Sequence, residues 1–226
     1  MKMKLGLLLC APALMLAACN SGDAKYQVDE EAFKAAVLDY GFYAAPANAT
    51  YEGTVAMTMA GGQESTTTAK VEVDNGKVHI YSTYNTGDRT ETEENYFDNA
   101  KVGEATPTFD AYSYYSDTWY KSTLPFTGYK DQTNYLGLVF DGMAYSDFTY
   151  DSESHAYKLN ESKEVVVNEH SKITYTALSL YLEDSKLVKV EATYTSGEGE
   201  YAHTGNISMS ASKVGETSVT LPVIPD

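Results

Sequence analysis

The sequence predicts a mainly β, single-domain α+β protein: a long antiparallel meander with an N-terminal helix and a mid-chain helix packed on it. Three observations predict this. Tyrosine occupies 20 of 226 positions, and with Val and Thr it is a residue that fits a pleated, half-buried surface. From Thr50 onward, apolar residues recur at every second position between turn-forming Gly, Asn and Asp. Helical spacing shows in only two stretches, and no repeat, linker or low-complexity tract divides the chain.

The first helix is expected over Asp29 to Phe42. Asp29 is a capping residue, Glu30 and Glu31 occupy the first turn, and Phe33, Ala36, Val37 and Tyr40 recur at helical spacing before Gly41. In the strand that follows, Tyr51, Val55, Met57 and Met59 share one face, with Glu52, Thr54 and Thr58 on the other. Gly61 and Gly62 turn the chain. Lys70 to Asp74 then runs into Asn75-Gly76, the strongest short hairpin signal, and out through Val78 to Tyr84. Asn85 to Asp88 makes the next turn before an acidic strand, Thr90 to Phe97. Later hairpins are expected at Ala111 to Ser122, Phe148 to Leu159 and Lys172 to Tyr194, with Leu178, Leu180 and Leu182 on one face. Strands at Tyr201 to Ala211 and Thr217 to Val223 would close the sheet. The second helix is expected over Asp131 to Met143.

Charge and cysteine content exclude several functions. A formal charge of −16 opposes nucleic-acid binding, which needs a surplus of Lys and Arg. Both cysteines, Cys10 and Cys19, lie within the first twenty residues, so no disulfide framework exists. His79, His155, His170 and His203 do not pair at metal-ligand spacing, and Asp147, Asp151 and Glu153 lack the pattern of a calcium loop. No nucleophile elbow or phosphate-binding glycine loop is present. Glu91, Glu93 and Glu94 read as a solvated, aggregation-resistant strand. No enzyme, metal or cofactor is therefore expected. Tyr112, Tyr114, Tyr115, Trp119 and Tyr120 crowd one short segment, and either fill cross-strand pairs or form a strip for sugars, lipids or protein.

The N-terminus predicts location. Lys2 and Lys4 precede an uncharged apolar run from Leu5 to Leu16, then Ala17, Ala18 and Cys19. This is a secretory signal, too short to span a bilayer. Leu16-Ala17-Ala18-Cys19 resembles the lipobox of bacterial lipoprotein precursors. The resemblance implies cleavage between Ala18 and Cys19, acylation of the Cys19 thiol, and anchoring at the extracytoplasmic face of the cell membrane. The expected organisation is a signal peptide over 1–18, a lipidated tether over 19–28 and one β-rich domain over 29–226, monomeric and acidic enough to stand off anionic headgroups.

The element order also resembles the extracytoplasmic lipoprotein-carrier fold of LolA, LolB, LppX and LprG, an open, strongly curved sheet (a half-barrel) with helices across its mouth. That resemblance implies a cavity for a hydrophobic acyl or glycolipid ligand. Phe33, Val37 and Tyr40 of the helix and Val55, Met57, Val71 and Val73 of the strands are the expected lining. The alternative is an anchored structural or protein-interaction domain with a filled core.

Overall fold

The computed structural model describes residues 24–38, 48–115, 117–126, 140, 142–168 and 171–224. Its strands form one antiparallel sheet of twelve, and the sheet does not close on itself. Strands β1 (Asn48–Met59), β2 (Glu64–Asp74), β3 (Lys77–Asn85), β4 (Thr90–Asp98), β5 (Thr108–Tyr115) and β6 (Thr118–Pro125) step outward in chain order. The chain re-enters through the short β7 (Phe148–Asp151), β8 (Ala156–Leu159) and β9 (Lys163–Asn168). It then steps back through β10 (Ser171–Glu183), β11 (Lys186–Ser196) and β12 (His203–Ser212). β8 and β9 share one edge of β10, and β12 pairs with β1 from Thr50 opposite Ser212 to Met59 opposite His203. That last ladder joins the two halves of the meander.

Turn chemistry sets the register. Asn75 and Gly76 both take positive φ, 48° and 89°, which matches the right-handed twist of β2 and β3. The β10–β11 turn uses Asp184 and Ser185 in the same left-handed region, at 50° and 58°, without glycine. It is held from outside the hairpin: the Asp184 N–H donates to the Lys25 carbonyl at 2.9 Å, and Lys25 pairs with Glu183. The turns after β2, β7 and β10 lie at one end of the sheet, the near end. Those at Gly61-Gly62, Gly87 and Asp117 and the β11–β12 connection lie at the other, the far end.

One face of the sheet carries the core. Tyr51, Val55, Val71, Val73, Val78, Ile80 and Phe97 from the first half join Leu178, Leu180, Leu182, Leu187, Val190, Ile207 and Met209 from the second in one buried cluster. The helix α1 (Glu30–Phe33) begins where expected, its Asp29 side chain accepting from the Ala32 N–H at 2.9 Å, and widens into a π-helical turn over Lys34–Leu38. Of the second expected helix, residues 131–139 and 141 lie outside the described residues; Phe140 and Met143 at its end are buried.

Two elements differ from expectation. β9 was not visible as a strand in the pattern: its run of three valines does not alternate, and Val165 is buried while Val166 is exposed. Thr217 to Val223 joins no ladder. Side chains replace the ladder there. Asn48 accepts from the Thr217 N–H at 2.7 Å and donates to its carbonyl at 2.6 Å, while the Val219 N–H donates to Asp74 at 3.2 Å.

Candidate functional site

Register converts the alternation of single strands into rows across the core face. One row runs Ile207, Val55, Thr67, Tyr84 and Glu91; the next runs Met209, Gly53, Ala69, Ser82 and Glu93; a third runs Ala211, Tyr51, Val71, Ile80, Asn95, Ser113 and Tyr120. Each starts apolar on β12 and β1 and becomes polar on β3 to β5. Each also passes from buried to exposed: Val55 is 6 % exposed and Tyr84 37 %, and Val71 is 1 % and Tyr120 53 %. The core face is therefore sealed on one side and open on the other.

At the open, far-end side lies a groove of about 520 Å³ lined by Ser82, Tyr84, Glu91, Thr92 and Glu93. Glu91 pairs with Arg89 from the β3–β4 turn, and Glu93 accepts from the Asn95 amide at 2.9 Å. The Asn95 carbonyl oxygen accepts in turn from Ser113 at 3.2 Å. The groove thus has an aromatic wall, two carboxylates and hydroxyls, opening beside apolar β1 and β2. Such a surface takes a molecule with an apolar part and a neutral or cationic polar part. It repels an anionic headgroup.

The expected lining residues sit in the core cluster. Phe33 and Val37 are 0 % and 1 % exposed, Val55, Val71 and Val73 are buried, and Met57 is half-buried. Tyr40, Ala18 and Cys19 lie outside the described residues. Phe33 packs on the strands of the second half: its ring lies 4.9 Å from that of Tyr157, 5.3 Å from Phe148 and 5.2 Å from Tyr145. Neither the groove above nor the outer-face depression described below is lined by any of these residues.

Residues 24–28, which the sequence places in the tether, lie against the near end. The Tyr26 ring stacks on His155 at 4.5 Å. The Tyr157 hydroxyl accepts from the Val28 N–H at 2.7 Å and donates to its carbonyl at 2.8 Å. Burial pushes Tyr157 up to about 12, even though the hydrogen bond to Val28 opposes the shift. The first described residues therefore lie at the near end, while the groove opens at the far end. No sequence signal locates Tyr157 as the clasp. Tyr84, by contrast, is legible as lying on the Ile80 face from the alternation of β3.

No protein-family model matches this chain, and no curated protein matches it. Among solved structures it is similar to a DUF1329 family protein from Desulfovibrio piger ATCC 29098, with 10 % sequence identity and a TM-score of 0.25 over 86 % of this chain and 96 % of that one.

Proposed function

We propose that the protein is a membrane-anchored, extracytoplasmic, non-enzymatic lipoprotein that binds a hydrophobic ligand on the open side of its core face, the anchor being a lipid on Cys19. The observation that supports this is the gradient along the rows. An amphiphile laid along Val55, Thr67, Tyr84 and Glu91 would have its apolar part toward β1 and its polar end at Tyr84 and the two carboxylates. The ligand class that fits is a neutral or cationic amphiphile, a glycolipid with an uncharged sugar included; a free fatty acid does not fit beside Glu91 and Glu93. A fatty chain buries CH₂ groups at about 0.8 kcal/mol each, enough to survive purification.

Native mass spectrometry of the full protein, extracted in a mild detergent, tests this reading. A bound mass of several hundred daltons is expected, lost in Met57→Trp, which adds bulk on the core face of β1 beside Val55, and reduced in Tyr84→Ala. Wild-type protein that shows only its own mass refutes it. For the anchor, Cys19→Ala should abolish detergent-phase partitioning and leave an uncut precursor; unchanged partitioning refutes the lipid assignment.

A second reading, an anchored interaction domain with a filled core, is favoured by one observation. Phe33, Val37 and Val71 are at most 1 % exposed, so protein atoms already enclose them. Under that reading the same spectrum shows apo protein alone.

A further inference from the structure

The sheet face opposite the core carries features that the reading above does not use. Between β12, β1, β2 and β3 it holds a depression of about 420 Å³ walled by Glu52, Thr54, Thr68, Lys70, Tyr81 and Ser208. Its floor lies at Gly53 and Ala69, the two positions in it whose side-chain direction is the core face. Gly53 is glycine for a packing reason, since a Cβ there would meet the Ser208 carbonyl at 3.0 Å and the Met209 Cβ at 3.1 Å. Tyr81 stands at the rim, 42 % exposed.

From Tyr81 the same face continues outward as aromatic rings. His79 stacks on Tyr96 at 4.2 Å, Tyr96 meets Trp119 edge-on at 5.2 Å, and Trp119 lies 5.2 Å from Tyr114, which is half-exposed. The rings are fixed by carboxylates on the same face. His79 is held between Glu72 at 2.8 Å and Glu94 at 3.0 Å, and the Tyr96 hydroxyl donates to Glu94 at 3.1 Å. Burial and the Glu94 carboxylate push Tyr96 up to about 12, so it remains a hydrogen-bond donor. From Tyr81 on β3 to Trp119 on β6 is three interstrand steps, about 14 Å.

We infer that this outer face is a binding site for a neutral polysaccharide chain, lying from the depression at Tyr81 along the ring strip to Trp119 and Tyr114. Flat, rigid rings present a π-face to the C–H side of a pyranose. The hydroxyls of Thr54, Thr68 and Ser208 and the mixed charges of Glu52 and Lys70 meet its hydroxyls from either side. The exposed large apolar side chains on this face of β1 to β6 are the tyrosines Tyr81 and Tyr114, and the walls between them offer hydroxyls to a sugar. The net charge of −16 turns away anionic polymers.

The experiment uses the full protein and a panel of soluble neutral oligosaccharides (β-1,4-glucan, β-1,3-glucan, mannan and galactan hexamers), followed by isothermal titration and by the emission of Trp119, the single tryptophan. Saturable binding of at least one member, with a change in Trp119 emission, is expected. Tyr81→Ala, Tyr114→Ala and the depression-filling Thr68→Arg should each weaken it roughly ten-fold or more, the scale of one lost stacked ring, at unchanged melting temperature. Polyanionic alginate should not compete. No saturable binding across the panel overturns the inference, as does binding that all three substitutions leave intact. Because Met57 and Tyr84 face the other side of the sheet, Met57→Trp should leave oligosaccharide binding unchanged. The inner-face and outer-face readings therefore fail separately.

Discussion

Replacing Tyr157 with Phe removes one oxygen atom and tests how the N-terminal segment is attached. The ring itself should stay, since it is 1 % exposed and packed against Phe33, Tyr145 and Tyr150. What is lost is a two-way clasp on the Val28 backbone, with contacts of 2.7 and 2.8 Å. Each net hydrogen bond contributes about 1 kcal/mol, and leaving a part-buried amide unpaired adds to the cost, so a loss of about 2–3 kcal/mol is expected. For a domain of this size that lowers the melting temperature by roughly 4–12 °C. Hydrogen exchange should also accelerate over residues 26–33 more than in β1 or β11. The alkaline limb gives an independent check. Tyr157 ionises near 10 in the unfolded chain but at about 12 when folded. Its stabilisation is therefore complete below pH 10 and declines between pH 10 and 12, at about 1.4 kcal/mol per unit. Tyr157→Phe should remove that share of the slope. A loss under about 0.5 kcal/mol with an unchanged alkaline limb would show that Val28 is not held by this hydroxyl.

Gly205 is a second single-atom test: a Cβ there would lie 2.2 Å from the Tyr194 ring, which covers it, so Gly205→Ala must displace a buried ring and should cost about 1–3 kcal/mol by chemical denaturation. A neutral result would mean that Tyr194 does not lie over the glycine. Asp110 is held below the ordinary carboxylate range by the Thr123 hydroxyl at 2.6 Å and, against the cost of burial, by Lys121 at 2.9 Å. Its contribution is present above the ordinary carboxylate pKa and lost as pH falls through the lowered value, so Asp110→Asn should flatten the acid limb of a stability–pH curve. Trp119 is half-buried, its ring edge-on to Tyr96, so Trp119→Ala should cost about 1–2 kcal/mol, and its emission should lie to the blue of free indole.

Most of the meander was legible because local signals determine it. Asn75-Gly76 can hardly be anything but a tight turn, and Leu178, Leu180 and Leu182 are buried together as their alternation requires. What a single strand does not show is which strands become neighbours. The pairing of β1 with β12 joins residues 144 to 162 positions apart, and only that pairing places Val55 beside Ile207, whereas the rest of the row to Glu91 follows from the consecutive β1–β4 hairpins. The aromatic segment was readable as cross-strand pairs, and Tyr114 opposite Trp119 is one. The position of Tyr114 and Trp119 on the face away from the core, with Tyr120 on the core face, depended on the β4–β5 register. The tail from Thr217 was misread for a related reason. Its residues have strand character, but the partners offered are the side chains of Asn48 and Asp74 rather than a backbone edge.

The placement of the two ends bears on how such a protein could act. Lys25, Tyr26 and Val28 are fastened to the β7–β8 and β10–β11 turns, so six residues, 19–24, precede the first of them from the proposed lipid on Cys19. Six residues reach at most about 21 Å. Under the proposed anchoring the near end would lie next to the bilayer, with the strands rising from it. From Val78 to Tyr84 along β3 is six residues, about 20 Å. Tyr84, Tyr114, Tyr120 and Tyr201, four of the five exposed tyrosines among the described residues, lie toward the far end, while Tyr81 sits at mid-strand. A module that drew its ligand directly from its own membrane would present its open side and its aromatic residues at the tethered end. Here they lie toward the other end, an arrangement that, under the proposed anchoring, suits capture from, or delivery to, something beyond the anchoring membrane.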